Sequence, residues 1–156
     1  MTTAMKEVTT EESIDLARHY FKTSSLATMA FRNFIQQKFK KEQKDLTFEM
    51  LQVLYHLNEN EGSNQQEIAN ATVKDKASLT YLIDNLVKRG LVHRQEDEQD
   101  RRNKRIYLTA QGSELLNSTI IPWSEEMYSI AMKDVSAYEI QLVINVLSKI
   151  TRNLSE

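Results

Sequence analysis

Cysteine is absent, which removes thiol nucleophiles, cysteine-metal sites, disulfide frameworks and cysteine redox sensing. Glycine occurs 3 times and proline once, too few for the turns of a β-rich fold or for a glycine-rich phosphate loop. The chain must therefore be mostly helix. The longest stretch without a charge, Leu115 to Ser124, is about half of what spans a bilayer, so no membrane association is expected. The opening residues MTTAMKEVTTEE lack the apolar centre of a secretion signal, and a cytoplasmic location is the expectation. Neither sign of charge dominates: 20 Lys and Arg stand against 22 Asp and Glu, a net charge of -2. Any binding to a polyanion must come from local charge. The 156 residues suit one folded unit, which at this size buries roughly 68–70% of its unfolded surface without a staple.

What is present is helical periodicity. From Ser13 to about Lys41, Leu16, Tyr20, Ala27, Phe31, Phe34 and Ile35 keep one face apolar. Thr47 caps a second helix to about Asn58, carrying Leu51, Leu54, Tyr55 and Leu57 inward. After Gly62, Ser63-Asn-Gln-Gln66 has the form of a capping box and opens a short helix to about Ala71. Asp75 is the N-cap of a helix reaching Arg89, with Gly90 placed for a left-handed C-terminal residue. Leu79, Leu82, Ile83 and Leu86 form its inner face, while Ala77, Tyr81, Asp84 and Lys88 point outward. Two short β-type runs, Leu91 to Arg94 and Arg105 to Thr109, flank a wholly polar segment, Gln95 to Lys104: a hairpin with a charged tip. Helix then resumes with Leu116, Ile120, Trp123, Met127 and Ile130, where Pro122 predicts a kink. The box Ser136-Ala-Tyr-Glu139 opens a last helix with Ile140, Val143, Leu147, Ile150 and Leu154 on its seam.

This order predicts a mainly α fold with a small β-hairpin wing, a winged helix-turn-helix flanked by long dimerisation helices. Residues 1–45 and 111–156 would supply the dimer helices and 46–110 the DNA-binding region, in one intertwined domain. The seams of the terminal helices hold more apolar surface than a small central core covers, so a second copy is the expected partner; packing within one chain is the alternative. Between Lys74 and Arg105 nine basic residues meet six acidic ones, a local balance of +3. Arg101-Arg-Asn-Lys-Arg105 suits a finger laid along phosphates or into a narrow minor groove.

The stretch Val73 to Gly112 resembles the DNA-binding core of the MarR family of bacterial transcriptional regulators. The resemblance rests on D-K-A-S-L-T-x-L-I-D-x-L from Asp75, K-R-G-L-V from Lys88, D-x-x-D-R-R from Asp97 and L-T-x-x-G from Leu108. It implies a symmetric homodimer whose terminal helices interlock and whose two winged units grip double-stranded DNA at a palindromic operator. It also implies that Arg102 is the minor-groove arginine, supported by Asp100 and paired with Asp75, and that Arg94 is the basic residue ending the first wing strand. The expected DNA-binding set is Lys76, Ser78, Thr80, Tyr81, Arg94, Arg101, Arg102 and Lys104. Tyr81 stands where many relatives have arginine, so their operator preference does not transfer. Met50 stands where glutamine is frequent, which removes a capping-box partner from Thr47 and weakens that helix start.

Tyr20, Phe31, Phe34 and Trp123 are core or dimer seam on the simplest reading; the resemblance adds a cavity for a small aromatic effector that these residues would line. His19, His56 and His93 fall in no metal-ligand spacing, and no cofactor motif is visible. An enzyme is not expected, since no nucleophile-base pair stands out. A ligand-responsive repressor is the leading expectation, and a winged protein-assembly module without specific DNA binding the alternative.

Overall fold

A computed structural model describes residues 10–72, 75–96 and 103–155. Helix α1 (Thr10–Lys41) has Glu11 and Glu12 in its first turn and Lys38, Lys40 and Lys41 in its last, each sign facing the opposite end of the helix dipole. It closes with Gln43 in the left-handed region (φ 50°), Lys44 N–H reaching Phe39 O at 2.8 Å and Gln43 N–H reaching Lys40 O at 3.3 Å. Only its C-terminal part enters the core, through Ile35 and Phe39.

Helix α2 (Phe48–Glu59) starts at Thr47, whose hydroxyl accepts from Met50 N–H at 3.2 Å. The expected weakness at Met50 does not prevent the cap, because the cap bond uses the Met50 backbone. The Met50 side chain is buried instead. The capping box before α3 (Gln65–Thr72) lies one residue later than expected: Asn64 Oδ1 accepts from Glu67 N–H at 2.9 Å and Glu67 Oε2 accepts from Asn64 N–H at 2.7 Å. Ser63 is already committed, since with Asn64 it forms a short strand β1 (Ser63–Asn64) and its hydroxyl donates to Asn60 O at 2.8 Å. Two-residue strands leave no periodicity to detect in sequence.

Helix α4 (Lys76–Lys88) buries Leu79, Leu82, Ile83 and Leu86 as the periodicity requires. Fully burying one such side chain contributes about 1.5–3 kcal/mol. Gly90, at φ 69°, ends it in a conformation that a Cβ disfavours, and Leu91 N–H closes on Leu86 O at 3.0 Å. The chain then forms β2 (Val92–Glu96) and β3 (Lys104–Leu108), an antiparallel hairpin whose register sets Val92 opposite Leu108 and Glu96 opposite Lys104. β1 adds to the other edge of β3, giving the order β1-β3-β2.

Thr109 clasps the exit from the sheet: its hydroxyl donates to Gly90 O at 2.6 Å and accepts from Gly112 N–H at 3.0 Å. It caps α5 (Ala110–Leu115), which runs on through a π turn, Leu116–Ile120, into α6 (Ile121–Ala131). Ile121 N–H bonds to Leu116 O five residues back. The wider turn sits just before Pro122, which has no N–H to offer the previous turn. The kink expected at Pro122 is not what these residues record: a π turn precedes the proline, with αR backbone held through Ile120 and Ile121. Helix α7 (Ala137–Ser155) begins with the predicted box, Glu139 Oε2 accepting from Ser136 N–H at 2.8 Å and from its hydroxyl at 2.6 Å. No α7 residue is buried. The core is the cluster from Ile35 and Phe39 through α2, α3, α4 and the sheet to Leu116 and Ile120.

Candidate nucleic-acid interface

The outer face of α4 starts at Asp75. Its carboxylate accepts from Ser78 N–H at 2.9 Å and from Ser78 Oγ at 2.5 Å. The Ser78 hydroxyl, followed by its backbone N–H, holds the Asp75 carboxyl below the usual carboxylate range. Ser78 therefore has its hydroxyl proton engaged and faces outward as an acceptor. Thr80 is half-buried, and its Oγ1 accepts from Gln65 Nε2, joining α3 to α4. Tyr81 differs from both. It is 69% exposed, and its hydroxyl bonds to no described residue. Of the outward residues it is the one left to meet a ligand with both a ring and a hydroxyl.

The hairpin lies against the same face. Arg94 on β2 pairs with Asp84 on α4 at 2.6 Å, fastening the first wing strand to the helix. Sequence reasoning missed this role and read Asp84 as a solvent residue; the signal was an acid on the outward face with a basic residue just past the helix exit. Arg94 also walls a polar cleft of about 450 Å³ with Asn64, Gln65, Gln66, Asn103 and Lys104. Arg105 donates to Gly62 O at 2.9 Å and so secures β3 toward the turn before β1. Arg101, Arg102 and Asp100, with the pairing of Arg102 and Asp75, lie outside the described residues, as does the Lys76 side chain.

The four aromatic residues named as candidate cavity residues sit in different surroundings within one chain. A pocket of about 490 Å³ lies along α2, with Phe31 in its wall beside Phe48, Tyr55, His56, Glu59 and Tyr128. Phe31 meets Phe48 edge-on with centroids 5.1 Å apart. Trp123 instead packs on Phe39, centroids 6.1 Å apart, and Phe34 joins the core with Lys38 Nζ 5.7 Å from its ring centre. Tyr20 stacks edge-on to Phe21 at 5.2 Å, about 16 Å further along α1 from Phe31 at 1.5 Å per residue. The residues sequence reasoning missed are those on α2, whose apolar spacing marked them only as core.

Three comparisons bear on this arrangement. Residues 44–103 match a family model described as MarR family. The transcriptional regulator HosA of Escherichia coli O157:H7 is 29% identical over 121 residues, 76% of this chain and 89% of HosA. Among solved structures, S. aureus MepR in its DNA-binding conformation has a TM-score of 0.76 at 27% identity, covering 86% of this chain and 98% of MepR. The S. aureus MepR-DNA complex is similar, with a TM-score of 0.75 at 26% identity over 86% and 97% of the two chains. Residues 44–103 thus carry a MarR-family winged-helix region, and HosA, which the chain resembles, is a transcriptional regulator.

The MarR-family match runs from just before α2 through β2 and ends before β3, and its helices bury their apolar faces within one chain. The likeness to MepR extends well beyond it, over most of the terminal helices. Among the described residues no three His, Asp or Glu side chains gather to hold a metal ion. His19 is exposed on α1, His56 Nε2 lies 3.0 Å from Ser63 Oγ, and His93 stacks on Tyr107. No described helix is long and apolar enough to cross a membrane.

Proposed function

We propose that this protein is a MarR-family, homodimeric, sequence-specific DNA-binding regulator of the cytoplasm, acting as a ligand-responsive repressor on a palindromic operator. The observation that carries this reading is the outer face of α4: an exposed Tyr81 beside a basic hairpin, braced by the Asp84 pair to Arg94. The MepR-DNA complex supports it by likeness of fold at 26% identity. Apolar residues left open on α1 and α7, among them Leu16, Leu26, Tyr138, Val143 and Leu147, support a second copy. In such a dimer residues 46–110 read DNA, while 1–45 and 111–156 set the spacing of two α4 helices at about 34–36 Å, one helical turn of DNA. Lys76, Arg101, Arg102 and Lys104 supply phosphate or minor-groove contacts. Ser78 and Thr80, whose hydroxyls already have partners, orient α4 and its neighbours.

A ligand in the pocket beside Phe31 would act through its preference for a spacing unable to bind DNA. The test is selection of genomic fragments on the purified protein, followed by band shifts on the enriched sequence over a range of salt. An enriched inverted repeat is expected, and Arg102→Ala should weaken binding and lower the salt slope by about one. Enrichment of no sequence would overturn the reading in favour of a protein-assembly role.

A further inference from the structure

From the pocket along α2 we infer that the effector of this protein is a small aromatic cation. This inference rests on the reading above that the pocket is the effector site, and it names the ligand class. The walls are rings: Phe31, Phe48, Tyr55 and Tyr128 line a volume of about 490 Å³, within the range of small-molecule sites. Their π faces carry negative potential and attract cations. One of these rings already holds a cation from outside the pocket lining: the Arg32 guanidinium lies 5.2 Å from the Phe48 ring centre, its charge matched by an ion pair to Glu49.

The polar groups of the pocket point the same way. Glu59 is its one charged lining residue and makes no hydrogen bond or ion pair with a described residue. No Lys or Arg is among the described lining residues, so an aromatic carboxylate would find no partner for its charge. Glu59 is also the last residue of α2, and Ala71 and Thr72 in the same wall end α3. Two helix C-termini, each carrying partial negative charge, thus meet at the pocket beside a carboxylate. Tyr55 donates its hydroxyl proton to Ser124 at 2.7 Å, and Ser63 gives its proton to Asn60 O, which leaves His56 Nε2–H as the donor to Ser63. The contrast with the cleft beside Arg94 and Lys104 is one of sign: that cleft suits an anion and this pocket a cation.

The test is a titration of the isotope-labelled full-length protein at pH 8, where an ordinary imidazole is neutral. Benzyltrimethylammonium, benzyl alcohol and phenylacetate are compared while the NMR signals of Phe31, Tyr55 and Ala71 are followed. The ammonium ion should saturate those signals at the lowest concentration and phenylacetate at the highest. Glu59→Gln should weaken ammonium binding about three- to fivefold, the upper part of what an exposed charge pair supplies, and leave benzyl alcohol unchanged. Equal or tighter binding of phenylacetate, or an unaltered ammonium affinity in Glu59→Gln, would overturn the cation preference while the pocket stood. If none of the three moves those signals, the pocket itself is not the ligand site.

Discussion

Helices α4 and α7 have the same kind of amphipathic pattern and opposite fates. α4 buries Leu79, Leu82, Ile83 and Leu86 under α2, α3 and the sheet, whereas α7 buries nothing: Tyr138 is 72% exposed and Leu142, Val143, Ile144, Val146 and Leu147 are all open. An apolar stripe reports that a helix has a partner and is silent about whether that partner belongs to the same chain. The winged region buries its apolar faces within one chain, with Ile35, Phe39, Leu116 and Ile120 joining its core, whereas α7 leaves its apolar face uncovered there.

Breaking the α7 face is the largest test of that contrast. In the proposed two-fold dimer, Val143→Asp combined with Leu147→Asp would place four charges in the interface and remove four apolar side chains from it, each contributing about 1.5–3 kcal/mol when buried. Sedimentation should show the wild-type chain as a dimer at micromolar concentration and the double variant as a monomer. A variant that still dimerises would move the interface elsewhere.

The next test lies where the sheet passes into α5. A Cβ on Gly112 would lie 2.0 Å from Leu91 O, a backbone atom held by Thr109 N–H at 3.1 Å. Gly112→Ala should therefore destabilise by about 3 kcal/mol, the upper end of overpacking costs, where a helical glycine with open space would gain stability. Urea unfolding at fixed protein concentration measures it. An unchanged midpoint would show that the sheet exit yields easily and that the region is less rigid than its burial implies.

Replacing Tyr81 by Ala should leave both folding and dimerisation alone, because the side chain is 69% exposed on the outer face of α4. The ratio of specific to non-specific DNA binding should fall about fivefold, the lower end of what a base contact discriminates, since Tyr81 offers one hydroxyl and not a bidentate fork. Equal loss on every sequence would assign Tyr81 to the backbone instead.

What was legible in the sequence follows the same division. Periodic faces, Gly90 at a left-handed helix end and the Ser136–Glu139 box were readable because each is a local rule satisfied by neighbours in the chain. β1 was not, because two residues gain their strand character from Ile106 and Arg105 across the sheet. The Gln65 amide that donates to Thr80 was not legible either, because it comes from another helix. The surroundings of the aromatic group were not legible for a related reason. Tyr20, Phe31, Phe34 and Trp123 share a residue class, and only the packing of α1 on α2 and α6 decides which of them borders a cavity.

The smallest effect concerns what the two regions have in common. α4 and α7 both begin on an exposed carboxylate bonded to a serine, and in both that bonding lowers the carboxyl pKa: Ser78 through its hydroxyl and then its N–H for Asp75, Ser136 in the same way for Glu139. A carboxyl whose folded pKa lies below its unfolded value stabilises the fold above the unfolded value and loses that contribution as pH falls through the folded one. Both helix starts should thus weaken together as pH falls below about 5. Asp75→Asn and Glu139→Gln should each flatten that part of the wild-type stability curve measured by urea unfolding. The two curves should change by similar amounts, because each cap is fully exposed and local. If Glu139→Gln alone alters dimer dissociation across this range, the α7 start is enclosed by the second copy, and the division between faces buried within one chain and faces left uncovered there reaches even to the helix ends.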